Sequence, residues 1–427
     1  MIKKCYLAVL PVLICWSFGF AQIGPAAVGA RALSFAGNHT AAANDISAVY
    51  WNPAALAYLP VREFFISFDG MRTYGKTGDV TGDRVEVAAD AKMSDYRDRI
   101  RLNGAGAMTA IPTVQGGLTI AGAYEKPLAF DDISVYSYDI GNTPISENNI
   151  RYGDINRWSG AFGVQVAEKV AAGLTISLIT GSESSVFDQR RNGLPYNDLE
   201  ISHNYLGYSL SGGALYLPTD YLKIGFKINA MMDLSVREKW VIKWNYDPYD
   251  DEVYDMRDEN GRGSTYDENG RAYTAPNGSV GAALAFPWFT AALDVRATMP
   301  YTFVLPGEKI PEGIQARDFK FGAGVGFEVP LPAAPVVLRG GYSFDEYDLC
   351  PVIHKMEDGI EWENMSGFSV NGNKHTLAAG AGIFTSGIGM ELSYSYQTWG
   401  ISHDDGERIL KQTFSNHRVM TAIIFRY

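Results

Sequence analysis

The stretch from Phe319 to Val329, FKFGAGVGFEV, alternates two kinds of residue along its whole length. Its odd-numbered positions hold apolar side chains, and its even-numbered positions hold lysine, glycine or glutamate. Successive side chains of a β-strand point to opposite faces of a sheet, so this pattern predicts a strand with one apolar face. The same alternation recurs in Leu222 to Ala230 and in Phe289 to Val295. The repeated pattern predicts an all-β protein.

The connections between such segments alternate between short and long. Short turns occur near Pro112-Thr113 and Ser386-Gly387, whereas residues 184–202 and 247–277 are long and polar. A soluble β-sandwich would also alternate, but short turns on one side and long loops on the other are typical of outer-membrane barrels. From Arg62 onward we count 14 strand segments, with 221–246 long for a single strand. The sequence predicts a 14-stranded antiparallel transmembrane β-barrel over residues 62–427.

The N-terminus is typical of an exported protein. Two lysines precede an apolar stretch from Cys5 to Phe20, and Gly19-Phe20-Ala21 supplies small residues for cleavage. This pattern predicts a signal peptide over residues 1–21. Cys350 is then the one remaining cysteine, which excludes an intramolecular disulfide. We expect the mature chain in the bacterial outer membrane, in contact with outer-membrane lipid and lipopolysaccharide.

Composition and motifs narrow the range of functions. A formal net charge of −12 disfavours nucleic-acid binding. The sequence has no phosphate-binding loop, dinucleotide fingerprint or His/Cys cluster with metal spacing, and no histidine has serine two positions later. We therefore expect neither an enzyme nor a bound cofactor or metal. The nine acids of residues 247–277 allow a calcium loop, although a plain solvated loop explains them equally.

Residues 22–61 do not alternate and are predicted to form a small domain inside the barrel. The first half is rich in glycine and alanine and sparsely charged. Asn52 suits an N-cap and Pro53 suits a first helical position, so a short helix is expected at 53–58. A barrel of 14 strands has room for such a plug, because eight strands fill with side chains alone.

Two motifs of this domain resemble the N-terminal hatch of the FadL/TodX family. They are Gly29-Ala30-Arg31-Ala32 and the stretch from Asp45 to Ala57, DISAVYWNPAALA. The arrangement also resembles the PorV branch of the superfamily, which acts in type IX secretion. Family members are 14-stranded barrels that carry long-chain fatty acids and other hydrophobic molecules across the outer membrane. One departure is Phe35-Ala36-Gly37, where the family commonly has paired glycines.

The resemblance implies functions for particular residues. Asn52, Pro53 and Ala54 would help to gate the passage, together with Arg31 and Asp45 of the same hatch. Lateral release of ligand near the third strand would correspond to Gly116 and Gly117, although an ordinary turn explains these glycines equally well. The resemblance therefore implies passive uptake of a hydrophobic small molecule, with a PorV-like interaction with a secreted protein as the alternative.

Cationic side chains on the inner face are candidates for a ligand head group. By alternation, these are Lys223, Lys227, Arg296, Arg339 and Arg418, with Lys320 also facing the lumen. A hydrophobic ligand with a carboxylate needs one or two such cations. The alternative is that they pair with lumenal acids such as Asp294, Glu328 and Glu391, and that Arg31 ties the hatch to the wall.

Overall fold

The computed structural model describes most of the chain. The described residues are 28–81, 100–114, 116–140, 143–230, 232–247, 252–274, 276–298, 319–332, 334–348, 371–404 and 409–427. The predicted signal peptide at 1–21 and the first part of the predicted hatch, 22–27, lie outside them.

Three short helical elements precede a series of strands. The helical elements are α1 (Ala30–Ser34), α2 (Ala48–Trp51) and a 3₁₀ helix (Pro53–Tyr58). The strands are β1 (Glu63–Thr81), β2 (Arg101–Ile111), β3 (Leu118–Ile140), β4 (Thr143–Ala167), β5 (Val170–Arg191), β6 (Leu194–Tyr216), β7 (Leu222–Asn229), β8 (Met232–Asp247), β9 (Glu252–Asp255), β10 (Ser264–Thr274), β11 (Asn277–Phe286), β12 (Phe289–Thr298), β13 (Lys320–Pro330), β14 (Val336–Asp348), β15 (Asn371–Phe384), β16 (Ile388–Asp404) and β17 (Ile409–Arg426). Among the described residues, no helix is both long and apolar enough to cross a membrane.

The strands form one closed antiparallel sheet. The first strand, β1, pairs with the last, β17, from Glu63↔Arg426 to Thr81↔Ile409. Strands β7 and β8 both pair with β6, so together they occupy one position in the wall. Strand β11 pairs with β7 and strand β10 pairs with β8, so β10 and β11 together occupy the next position. Each of these two pairs is one interrupted strand, and β9 pairs only with the end of β8. The described strands therefore form a 14-stranded barrel, as the sequence predicted.

The interruption between β7 and β8 reverses the direction of the side chains. Ser211 pairs with Asn229 and Tyr208 with Asp233, so the β7–β8 side has one residue more than β6. This extra residue is a β-bulge, and it moves the inward positions from odd to even numbers. Lys227 on β7 and Val236 on β8 are accordingly both buried. Segment 221–246 is therefore split into two strands, β7 and β8, that pair with the same neighbour.

The wall has an apolar outer face. In β13, Phe321, Val325 and Phe327 are each about half exposed, whereas the alternate residues Gly322, Gly324 and Gly326 are buried. Val419 and Phe425 on β17 also face outward. Closure satisfies the backbone groups of every paired strand, and the apolar exterior matches a hydrocarbon environment. The barrel therefore has the construction of a membrane-spanning protein.

Several segments that the sequence assigns to loops are strands. Strands β5 and β6 continue to Arg191 and Leu194, with Asn192-Gly193 as the turn, so the predicted loop 184–202 is wrong. Much of the predicted loop 247–277 similarly belongs to β9 and β10. These extensions are polar on both faces in places, which hides the apolar alternation that signals a strand. Pairing with a long neighbouring strand overrides this weak local signal.

The segment from 28 to 61, called the N-terminal segment below, lies inside the barrel. Its residues from Val28 to Ala43 are all buried. Ala54, Leu56 and neighbouring residues form one apolar cluster with Phe65 of β1, Met108 of β2 and Leu215 of β6. Strands β1 and β2 are neighbours, whereas β6 is separated from β2 by β3, β4 and β5. The segment therefore contacts several strands of the wall from inside the barrel.

Candidate functional site: the N-terminal segment in the barrel lumen

Hydrogen bonds join the N-terminal segment to strands around most of the wall. Asn38 Nδ2 donates to the backbone oxygens of Val325 and Tyr342, at 3.1 and 3.0 Å. The backbone N–H of Thr40 donates to Asp294 Oδ2 at 2.9 Å. Further bonds run from Thr40 to Ser279 (2.8 Å), from Thr175 to Val49 O (2.9 Å), from Ser393 to Ala30 O (2.6 Å) and from Thr119 to Leu59 O (3.3 Å). The segment is thus bonded to many strands rather than to one side.

Inward-facing glycines allow the backbone of the segment to touch the wall. A Cβ at any of nine positions in the wall strands would come closer than 3.0 Å to the N-terminal segment. We call these positions the glycine belt: Gly106, Gly163, Gly173, Gly213, Gly225, Gly324, Gly326, Gly341 and Gly380. A Cβ at Gly173, for example, would overlap Pro53, and one at Gly341 would overlap Phe35. Such close approach needs glycine because every other residue carries a Cβ.

Asn52 joins the segment to β6 and caps the 3₁₀ helix. Its Oδ1 accepts from the N–H of Ala54 at 3.1 Å, and Pro53 occupies the first position of the helix. Its Nδ2 donates to Thr40 O at 2.9 Å and to Ala214 O of β6 at 3.1 Å. The predicted cap is confirmed, and the amide also connects two parts of the segment to the wall. Ala54 itself is fully buried.

Arg31 takes part in a buried chain of alternating charges. Its Nε donates to Glu328 Oε2 of β13 at 2.8 Å, and Arg339 Nε of β14 donates to the same oxygen at 2.7 Å. Arg339 Nη1 lies 2.9 Å from Glu391 Oε1 of β16. Burial lowers the pKa of the Arg31 guanidinium, but the acids around it, Glu328 first, more than compensate and raise that pKa above its usual value. Arg31 therefore stays charged, and through Glu328 and Arg339 it connects the segment to β13, β14 and β16.

Asp45 shapes a turn of the segment next to a second anchor. Its Oδ1 accepts from the backbone N–H of Ser47 at 2.8 Å, and its side chain is buried. The following N–H, that of Ile46, donates to Glu63 Oε1 of β1 at 2.8 Å. Glu63 Oε2 in turn accepts from Arg426 Nε of β17 at 2.7 Å. Asp45 thus holds the loop that reaches the first and last strands.

Four of the five cationic head-group candidates contact protein groups in this structure. Arg296 Nε lies 2.9 Å from Asp345 Oδ1, and Arg418 Nε lies 2.8 Å from Asp69 Oδ2. Arg339 pairs with Glu328 and Glu391, and Lys227 donates to Tyr50 O. Within the described part of the chain, Lys223 has no hydrogen bond or ion pair. The five candidates lie on β7, β12, β14 and β17, and each of the four bonded ones has its own acceptor.

Gly116 and Gly117 lie in the turn between β2 and β3. Gly116 has a φ of 76°, which favours glycine, and Gly117 lies against the carbonyl of Ala57. The flanking strands pair in regular register from Gly104↔Glu125 to Ile111↔Leu118. The ordinary-turn explanation therefore has geometric support, and a lateral opening at this position stays a prediction.

The acidic stretch after β8 contains the same tetrapeptide twice, in two different structures. Asp258-Glu259-Asn260-Gly261 is a turn in which Asp258 Oδ1 accepts from the N–H groups of Asn260 and Arg262, at 2.9 and 2.8 Å. The second copy, Asp267 to Gly270, lies within β10. In the described part of the chain, no group of three His, Cys, Asp or Glu side chains could hold a metal ion.

Tyr50 is a residue of this site that the motif analysis overlooked. The guanidinium of Arg157 lies 4.1 Å from the centre of the Tyr50 ring, and the Lys227 ammonium lies 4.5 Å from it. Arg157 Nε also donates to Glu125 Oε2 at 2.8 Å. The glycine belt was overlooked as well, although inward-facing glycines within alternating strands were a visible signal. Tyr50 had no comparable signal, because its partners come from distant strands.

Comparison with solved structures identifies close matches in fold. No family model matches the chain, and no curated protein matches its sequence. A structure of a Pseudomonas aeruginosa FadL homologue matches with a TM-score of 0.58 at 13% identity, over 93% of this chain and 98% of that one.

Two toluene transporters match equally well. TodX of Pseudomonas putida has a TM-score of 0.59 at 13% identity, over 94% of this chain and 99% of its own. TbuX of Ralstonia pickettii has a TM-score of 0.59 at 13% identity, over 95% of this chain and 100% of its own. With its 14-stranded wall, the chain therefore has the fold of the FadL homologue and the TodX-type transporters, as the sequence motifs predicted.

Proposed function

We propose that this protein is an outer-membrane channel for passive uptake of long-chain fatty acids or other hydrophobic compounds, and that the N-terminal segment is its gating hatch. The observation that carries the proposal is the N-terminal segment, bonded around the inner wall of a barrel that has the fold of FadL-type proteins. The structures with this fold include toluene transporters, which supports a hydrophobic substrate. The apolar exterior supports the membrane location.

Lys223 is the candidate best suited to a ligand carboxylate. Its ammonium has no protein partner among the described residues, whereas the other four candidates contact acids or backbone oxygens. It lies on the inner face of β7, two positions from Gly225 of the glycine belt. A carboxylate bound there would lie beside the hatch. The proposal assigns Lys223 to the head group and leaves the other cations structural roles.

Binding of a labelled long-chain fatty acid to the purified protein tests the proposal. We expect saturable binding that Lys223→Met weakens about 10- to 150-fold, because a charge-assisted hydrogen bond contributes about 1.5–3 kcal/mol. Lys169→Met is the matched control, since Lys169 lies in an exposed turn and donates to Pro218 O. Absence of saturable binding to the folded wild-type barrel would contradict the transport proposal.

Gating by the hatch has a separate test. Deletion of residues 22–61 with the signal retained should convert a closed barrel into a leaky one, because the segment lies inside the barrel. The measurement is single-channel conductance in planar bilayers. An unchanged conductance in a deletion variant with normal barrel folding would show that the segment does not close the barrel.

A PorV-like interaction function remains the second candidate, favoured by the length of the wall strands. Strands β5 and β6 have 22 and 23 residues, although about 9–11 suffice to span a bilayer. The excess forms a projecting hairpin with polar outward residues such as Asp198 and Ser202. A secreted-protein partner would bind there. Stable capture of a secreted protein by a barrel without lipid affinity would favour this candidate over transport.

A further inference from the structure

His39 is a buried titratable group inside the N-terminal segment that the proposed transport does not use. Its side chain is fully buried. Neither ring nitrogen has a hydrogen-bond partner among the described residues. The ring instead packs edge-on between two aromatic rings, with centroid distances of 5.6 Å to Phe35 and 6.1 Å to Trp51. This environment accommodates a neutral imidazole, and in this arrangement an imidazolium would have both N–H groups without an acceptor.

Charged groups of both signs surround His39. Arg31 and Asp45 belong to the N-terminal segment itself, Glu328 to β13 and Arg339 to β14. On β12, Asp294 accepts hydrogen bonds from the adjacent Thr40 and from the His39 backbone. The carboxylate of Glu328 already binds Arg31 and Arg339. A positive charge on His39 would lose hydration and be repelled by Arg31, and the attraction of Asp45 and Glu328 offsets this only in part.

The position of His39 links the charge of its ring to the contacts between the N-terminal segment and the wall. Phe35, which contacts the ring, also lies against Gly326 and Gly341 of the glycine belt. Thr40, the next residue, lies against Gly225 and bonds to Asp294. Movement of the ring toward water therefore cannot occur without displacing both neighbours from the wall. The whole segment must shift if an imidazolium is to be hydrated.

We infer that protonation of His39 releases the N-terminal segment from the glycine belt, so that acid opens the barrel. The inference rests on the proposed closure of the barrel by this segment. It concerns how the closure is regulated and is independent of which solute passes. Neutral His39 keeps the segment in place, and the charged form requires contact with water.

The size of the effect follows from proton linkage. Burial, with a further contribution from Arg31, lowers the pKa of His39 from 6.5 to about 3. If the segment is released from the wall, the pKa of His39 returns to its ordinary value. His39 therefore binds a proton more tightly in the released segment than in the segment that is bound to the wall. The closed state is thus fully favoured above about pH 6.5 and loses that advantage as pH falls toward 3. Titration of His39 by itself should raise the ratio of released to seated molecules about 100-fold between neutral pH and pH 4.5.

Bilayer conductance in potassium chloride at pH 7.5 and pH 4.5 tests the inference without any substrate. The expected result is a large rise in open probability of the full-length barrel at pH 4.5, which His39→Leu abolishes. His417→Leu is the matched control, because His417 packs with Tyr394 and Tyr396 on another part of the wall. It should keep the wild-type response. An equal acid response in His39→Leu, or no response in the wild type, would overturn the inference.

Hydrogen exchange provides a second measurement if His39→Leu does not fold. Amide protection of residues 28–59 in the wild type, corrected for intrinsic exchange rates, should fall between pH 6.5 and 4.5 while the β13 and β14 amides stay protected. Uniform protection of the segment across this range would contradict the inference. Loss of fatty-acid binding would contradict the transport proposal instead, so the two failures are distinguishable.

Discussion

Arg31 and Glu328 lie 297 positions apart in the sequence, and their side chains form a buried ion pair with an Nε–Oε2 distance of 2.8 Å. Glu328 also accepts a hydrogen bond from Arg339, and Glu391 supplies the second negative charge beside that guanidinium. This pair fixes the first turn of the N-terminal segment against β13. The alternative explanation of Arg31, a tie between hatch and wall, is the one that the geometry supports.

Glu328→Ala should strongly destabilise the seated segment. The substitution leaves Arg31 and Arg339 buried with one acceptor fewer, and loss of one partner of a buried pair typically costs about 3–5 kcal/mol. The measurement is urea unfolding of the detergent-folded protein. Asp267→Asn is the control, because it breaks the exposed Arg237–Asp267 pair and should leave the midpoint unchanged. Equal effects of the two substitutions would contradict the structural importance of the buried pair.

Asn52→Ala should weaken both the helix cap and the connection to β6. It removes one accepted and two donated hydrogen bonds, and we expect a loss of about 1–2 kcal/mol in unfolding free energy. Asn52→Ser separates the two effects, since serine can cap the helix but cannot reach Thr40 O and Ala214 O together. If Asn52→Ser had the same free energy of unfolding as the wild type, the hydrogen bonds of the Asn52 amide to Thr40 O and Ala214 O would contribute nothing to stability.

Gly173→Ala should disturb the contact between the glycine belt and the segment. The new methyl group would overlap Pro53, and forced overpacking typically costs about 1–3 kcal/mol. Bilayer conductance should rise as well, because the segment can no longer lie flat on β5. Gly160→Ala is the matched control, since nothing lies within 4 Å of its added Cβ. Equal stability and conductance in the two variants would contradict the claim that Gly173 is needed for close contact between β5 and the segment.

Ala36→Gly should stabilise the loop that carries His39. Ala36 has a φ of 53°, in the left-handed region, at the place where the FadL/TodX motif commonly has a glycine. Glycine removes a strain of about 1 kcal/mol, partly offset by its larger unfolded entropy. Thermal unfolding measures the gain. Asn192→Gly at the same φ is the control and should have a smaller effect, because asparagine tolerates this region.

Where a strand has a clear apolar alternation, the sequence alone determined which face meets lipid and which meets the lumen. Alternation is a local property of the chain, so Phe321 faced outward and Arg339 and Lys227 faced inward as expected. The cap at Asn52 was equally predictable, because it depends on neighbouring residues. The fold likeness followed from two short motifs in residues 29–57, together with the strand count.

Only the tertiary structure decided which residues meet across the lumen. The pairing of Arg31 with Glu328, the contacts of Tyr50 with Arg157 and Lys227, and the burial of His39 all join segments far apart in the chain. The two Asp-Glu-Asn-Gly copies make the reason plain. Asp258 to Gly261 is a turn, whereas Asp267 to Gly270 lies opposite Val236 to Lys239 of β8 and is a strand. Identical local chemistry takes the conformation that its long-range partner stabilises.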